Sequence, residues 1–103
     1  VEQIGGREDL LREVMTLFVS EADSYLTEIQ EAIKREDMGE IRRLAHTIKG
    51  SAAHFAAQST VAAAFRLEKM GHDGDLTGVD EAYATLESEV KRLNEAIANL
   101  LQI

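Results

Sequence analysis

The sequence predicts an all-α protein, folded as an antiparallel up-and-down four-helix bundle. Three observations lead there. Apolar residues recur at the 3.6-residue helical period through four separate segments, and no strand-like alternation is sustained. Short polar connections separate those segments, which favours antiparallel neighbours. The chain has 103 residues, 45% of them apolar, which suits one small domain with a single core. Only five residues are aromatic and none is tryptophan, so that core is aliphatic.

The first helix is expected from about Glu8 to Asp37, roughly 45 Å at 1.5 Å per residue. Leu11, Val14, Phe18, Ala22, Tyr25, Ile29 and Ile33 form its apolar stripe, and the phase runs unbroken past Ser20. Gly39 is expected to end it. The leading VEQIGG can add a short extra turn packed on one end of the bundle. The second helix is expected from about Glu40 to Ala57, with Ile41, Leu44, Ala45, Ile48, Ala52 and Phe55 inward. The third begins near Ser59, a candidate cap, and stops at Gly71. Its apolar residues Val61, Ala63, Ala64, Phe65, Leu67 and Met70 spread round most of the circumference, which predicts burial on more than one side. HDGDLTG, His72 to Gly78, is turn chemistry. Thr77 and Asp80 have capping-box spacing ahead of the last helix. Its stripe is Val79, Tyr83, Leu86, Val90, Leu93, Ile97 and Leu100.

Composition excludes several functions. There is no cysteine, hence no disulfide framework, thiolate metal site or thiol nucleophile. No apolar run approaches the roughly 18 residues of a membrane span, and no signal peptide is visible. The first residue is Val1 rather than Met, and residues 1–103 are expected to be one domain excised from a longer chain. The net charge of −8 disfavours nucleic acid as a partner. Between Ile41 and Met70, however, five cations (Arg42, Arg43, Lys49, Arg66, Lys69) face one acid, Glu68, for +4. Such a basic segment on an acidic domain suggests a docking face for an acidic partner. Ordinary solvated helix charge is the plainer explanation.

The second helix carries the chemistry. Its stripe centres near Ile48, so His46 points about 160° away and faces solvent from mid-helix. Gly50 lies one turn further on the same side, and Ala53 beyond it, although glycine inside a helix costs about 1 kcal/mol relative to alanine. Arg43 and Lys49 flank His46 at three-residue spacing. An exposed imidazole is substantially neutral at pH 7 and a recognised nucleophile. Glycine leaves one edge of the ring open to another protein's backbone, and lysine can neutralise an anion placed on it. Phosphoryl transfer is the chemistry that best suits a basic neighbour and an open in-line approach.

AHTIKGSAAHFAA, Ala45 to Ala57, resembles the signature of histidine-containing phosphotransfer domains: histidine, any residue, aliphatic, lysine, glycine, then small residues before a hydrophobic one. IGGREDLLREVMTLF before it and LEKMGHDGD after it resemble the flanks of such domains in bacterial hybrid sensor kinases. The resemblance implies a four-helix bundle in the cytoplasm whose histidine accepts phosphate from a receiver-domain aspartate and passes it to another. It makes His46 the acceptor, Lys49 the charge partner and Gly50 the steric clearance, with Ala53, Arg42 and Arg43 on the docking face. Expected partners are receiver domains and a parent sensor kinase. The domain itself would be a monomer without a cofactor of its own, the magnesium ion belonging to the receiver.

Two positions depart from the family pattern. Ala56 stands where glycine is usual and is expected to be tolerated as a small helix former. His54 stands where a polar residue such as asparagine is common, and adds a second imidazole near the docking face. Glu68 matches a position near the phosphate where the family often has glutamine or glutamate. A carboxylate there can accept a hydrogen bond from imidazole N–H but would repel phosphate.

Other functions fit the sequence less well. A metal site has only Glu68 and His72, four residues apart, in its favour, and none is expected. A non-catalytic helical interaction module would leave His46 incidental. A chemotaxis-type kinase substrate domain would take phosphate from ATP through a separate catalytic domain. Autonomous kinase activity is not expected, since there is no Gly-rich nucleotide loop and no carboxylate cluster for magnesium.

Overall fold

Apolar spacing places the helices, and local backbone devices decide where each one stops. The computed structural model describes residues 2–101, and side chains for residues 9–101. Four helices follow in order: α1 Glu2–Lys34, α2 Met38–Ala53, α3 Gln58–Asp73 and α4 Val79–Leu101. Each packs against the next, and α4 closes back on α1. This is the expected up-and-down bundle. The VEQIGG segment does not form a separate turn, because Glu2–Gly6 continue α1 as one helix.

The helix ends correct the expected boundaries. Glu36, with φ 54°, turns the chain after α1, a task expected of Gly39. Gly39 instead lies in the first turn of α2, which Asp37 caps by accepting the Glu40 N–H at 3.2 Å. α2 stops at Ala53 rather than Ala57, and Ala56 takes the left-handed conformation, φ 53°. Ala56 is therefore not helical at all, contrary to the small helix former expected there. An L-residue in that region is strained by about 1–2 kcal/mol, partly offset by the lower chain entropy of alanine when unfolded. Ala56→Gly should raise stability by about 0.5–1 kcal/mol, read as a higher denaturant midpoint. A lower midpoint would show that the turn is not strained.

α3 has Ala57 as its N-cap without a side-chain bond, so Ser59 is an ordinary first-turn residue. α3 runs through Gly71 to Asp73 and ends at Gly74, φ 72°, whose N–H donates to the Met70 carbonyl. Ahead of α4, the Thr77 N–H donates to Asp75 Oδ1 at 3.0 Å and closes a turn within the loop, and no side-chain hydrogen bond among the described residues joins Thr77 to Asp80.

Ile29, Ile41, Leu44, Ile48, Leu67, Leu86 and Val90 are fully buried and form the aliphatic core. Phe18 and Phe55 close its upper end, edge to face at 5.4 Å. Tyr83 donates its hydroxyl to the Leu26 carbonyl at 3.1 Å, tying α4 to α1. The stripes of α2 and α4 are confirmed over most of their lengths. α1 departs from expectation at one end. It has 33 residues against 16 each in α2 and α3, about 50 Å against about 24 Å. Its first turns, with the last turns of α4, project beyond the other two helices. Leu11, Val14 and Leu100 lie on the expected stripes yet are exposed there. No described helix is long and apolar enough to cross a membrane.

Candidate functional site

The rotation of α2 is fixed by five buried positions, Ile41, Leu44, Ala45, Ile48 and Ala52. That rotation turns His46 outward, and its side chain is 66% exposed. Gly50 and Ala53 are exposed on the same side. A Cβ added at Gly50 would meet nothing within 4 Å. The space beside the imidazole is thus open to solvent rather than filled by a neighbouring helix.

α3 supplies the partner of His46. Glu68 points from α3 into the seam with α2, its side chain only 16% exposed, and Oε2 lies 2.9 Å from His46 Nδ1. A carboxylate only accepts, so Nδ1 carries the proton and donates. In the neutral ring Nε2, on the other side, then keeps its lone pair. Lys49 Nζ sits 2.7 Å from Glu68 Oε1. It lies off the hydrogen-bonding direction, so that oxygen has an ionic neighbour but no directional donor. The lysine also stands 5.1 Å from the centre of the Phe65 ring, a cation–π distance. His46, Glu68 and Lys49 therefore form one chain of contacts in which the carboxylate bridges the imidazole and the ammonium.

The Lys49 ammonium, and to a smaller degree His46, hold the Glu68 carboxyl below its ordinary value of 4.5 against the opposing effect of partial burial. A carboxyl depressed on folding stabilises the fold at pH above its unfolded value and loses that contribution as pH falls through the folded value. Wild type should therefore be more stable than Glu68→Gln at pH 7, with the difference shrinking below about pH 4.5. Paired thermal melts from pH 7 to pH 3 measure it. A difference that does not change on acidification would mean the carboxylate charge contributes nothing.

The basic segment looks different in space. Arg43 is held by Glu40 through two bonds of 2.7 and 3.0 Å. Arg66 meets Glu81 at 3.0 Å and Lys69 meets Asp73 at 3.4 Å. With Lys49 on Glu68, four of the five cations have a carboxylate beside them, and three of those carboxylates, Glu40, Asp73 and Glu81, lie outside residues 41–70. The +4 read along the chain is largely neutralised in the fold. Arg42 is exposed on the same helix, one turn before His46.

The sequence did not reveal an apolar surface next to Lys49. Ala53, Ala56, Val61, Ala62 and Phe65 line it, and Phe65 is 52% exposed rather than buried. His54 is exposed two turns above His46, beside Phe18, Glu21, Tyr25 and Ser51, in a groove between α1 and α2. It belongs to a different surface from the Glu68–Lys49 pair. Glu68 does not combine with His72, whose Nδ1 lies 3.1 Å from Asp73 Oδ1. Among the described residues no group of three or more His, Asp or Glu side chains is arranged to hold a metal.

Comparison with known proteins bears on the family and the fold. The family model of the Hpt domain matches residues 13–101. The crystal structure of histidine-containing phosphotransfer protein B (HptB) from Pseudomonas aeruginosa PAO1 has a similar fold, with a TM-score of 0.87. The match covers 92% of this chain and 83% of that one at 21% sequence identity. No curated protein matches.

Proposed function

This chain belongs to the Hpt domain family, and on that basis we propose that it is a phosphocarrier, with His46 shuttling a phosphoryl group between the aspartates of two receiver domains. The observation that supports this most is the Glu68 contact on Nδ1, which in the neutral ring selects the tautomer with its lone pair on Nε2. In the forward step Nε2 gives its lone pair to the phosphorus of a receiver's aspartyl phosphate. The N–P bond forms as the P–O bond to the carboxylate breaks, and the aspartate leaves as its anion. Positive charge grows on the ring, and the Glu68 carboxylate accepting from Nδ1–H offsets it from the side opposite the phosphoryl group. The carboxylate thus need not meet the phosphate. Lys49, on Glu68 with its side chain 26% exposed, can share its charge with the phosphoryl oxygens. Transfer onward reverses the step: a second aspartate attacks, the N–P bond breaks, and the lone pair returns to Nε2.

The receiver contributes its acidic pocket and the magnesium ion held there. This chain contributes the nucleophile, then the leaving group, and a surface to dock on. The apolar patch of Ala53, Ala62 and Phe65 fits that docking role better than the neutralised cations do. Incubation with a phosphorylated receiver tests the proposal. The expected product is one acid-labile, base-stable phosphate on this chain, which a second receiver then removes. No transfer from any of a panel of receivers would sink it.

Gly50 sets the clearance for docking. Gly50→Gln should leave the helix equally or more stable, by up to about 1 kcal/mol, since the position is open and glycine is the poorer helix former. Transfer should slow by about 10- to 100-fold, because displacing the reacting atoms by about 1 Å costs that much. Melting temperature and transfer rate of the same variant separate the two effects. Wild-type transfer would show that the glycine has no clearance role.

A further inference from the structure

We propose that the overhanging end of α1 and α4 is a self-association surface, and that its occupant is a second copy of this chain. The inference concerns a face the phosphotransfer chemistry does not use. It also departs from the monomer expected from sequence.

Leu10, Leu11, Val14 and Leu17 of α1 are 61%, 49%, 37% and 55% exposed, and Leu100 of α4 is 55% exposed. They are not scattered. On α1 they fall within an arc of about 120° at 100° per residue, and Leu100 is on the α4 core stripe. Leu11 and Leu100 lie on the core stripes beyond the ends of α2 and α3; Val14 and Leu17 edge the α1–α2 groove beside Ser51, His54 and Phe55, and Leu10 and Leu17 stand about 100–120° round α1 from its core stripe. The two overhanging helices are already paired. Ile97 is buried beneath them, and the Arg12 guanidinium donates to the Leu101 carbonyl at 3.3 Å. The overhang is therefore a pair of packed helices with one apolar patch running from the core stripe onto the flank of α1.

A patch of this length and pattern is matched by the same patch on a second copy, related by a two-fold axis, so that it covers itself. Covering the five side chains removes roughly 500 Å² per copy, or about 1,000 Å² for the pair, which reaches the lower range of specific interfaces before any flanking residue is counted. The patch itself carries no charge, and its described neighbours Asp9, Arg12, Glu13 and Glu95 sum to −2, so most of the −8 of each chain lies away from the contact. An apolar patch of this size on a small domain is otherwise an association liability.

Sedimentation equilibrium on the chain, from micromolar to millimolar, tests the proposal. The expected result is a reversible monomer–dimer equilibrium. Leu17→Glu places a charge in the interface twice and should raise the dissociation constant by about 100-fold or more, with helix content by circular dichroism unchanged. Leu10→Glu should act the same way and carries the test if Leu17→Glu unfolds. Phe65→Glu, also at an exposed apolar position but on α3, should leave the equilibrium as it is. A chain that stays monomeric at millimolar concentration overturns the proposal and leaves the face to another occupant. Dimers that survive both leucine substitutions, or vanish with Phe65→Glu, place the contact elsewhere and overturn it too.

Discussion

Gly71→Ala is expected to destabilise the protein by about 1–3 kcal/mol, the usual range for overpacking a close contact. Gly71 is buried where α3 crosses α2. A Cβ there would stand 2.8 Å from both the Arg42 backbone nitrogen and the Met38 carbonyl oxygen, and 3.1 Å from the Arg42 Cα. These are backbone atoms, so no side chain can swing aside; the helices must separate. Helix propensity works the other way, favouring alanine by about 1 kcal/mol, so a net loss isolates the packing effect. For a domain of this size each kcal/mol lowers the melting temperature by about 4–8 °C. The consequence reaches the site as well. Gly71 is three residues after Glu68, and Arg42 four before His46, so this crossing lies one turn below the Nδ1–Glu68 contact. Forcing the helices apart should lengthen the 2.9 Å contact and weaken the hold on the imidazole. Denaturant titration gives the stability, and the NMR shift of the His46 Nδ1 proton reports the contact. An alanine variant as stable as wild type would mean that α2 and α3 can part at no cost.

Gly71 also shows where sequence reading fails. A glycine late in a helix reads as a terminator, because glycine is common just past helix ends. The same residue type is needed where two backbones meet, and the chain gives no sign of which applies until α2 is placed. Glu36 and Ala56 fail in the opposite way. Both carry the left-handed turns that glycine would be expected to carry, so composition points to the wrong residue. α2 was legible over its whole buried stripe because core surrounds its inner face from Ile41 to Phe55. The α1 stripe was equally regular, but periodicity says only which residues share a face. Whether that face is covered depends on the lengths of α2 and α3, and this is why Leu11 and Val14 ended up exposed.

The candidate site divides along the same line. The outward direction of His46 followed from the stripe of its own helix, and so did the open side at Gly50. The contact with Glu68 depends on the register of α3 against α2, which no periodicity fixes; only family resemblance pointed to that residue. Charge was misleading for a related reason. Summing over residues 41–70 omits Glu40, one residue outside, and Glu81, on another helix, and these neutralise Arg43 and Arg66. Phe65 was counted as core because its helix is apolar nearly all round. Its exposure beside Lys49 shows that one side of α3 is left open next to the imidazole.

His46→Gln is expected to abolish phosphate uptake from a phosphorylated receiver while leaving the fold intact. The side chain is 66% exposed, and glutamine is a good helix former, so little packing is at stake. The amide can still donate to Glu68, which keeps Lys49 as its ionic partner. What disappears is the basic ring nitrogen, since an amide nitrogen has no lone pair available for attack. Stability should therefore change by no more than about 0.5 kcal/mol, as for exposed substitutions generally, while uptake falls below detection. His54→Gln separates the two imidazoles of α2. It lies in the α1–α2 groove, away from Glu68 and Lys49, and should accept phosphate as wild type does. The measurement is uptake of labelled phosphate by the three proteins, with peptide mapping under base to preserve the N–P bond. The mapped nitrogen should be Nε2, because the Glu68 contact occupies Nδ1. Uptake retained by His46→Gln, or lost only in His54→Gln, would move the acceptor. Phosphate on Nδ1 of His46 would keep the residue but overturn the role given to Glu68, since that nitrogen cannot both donate to the carboxylate and carry the phosphoryl group.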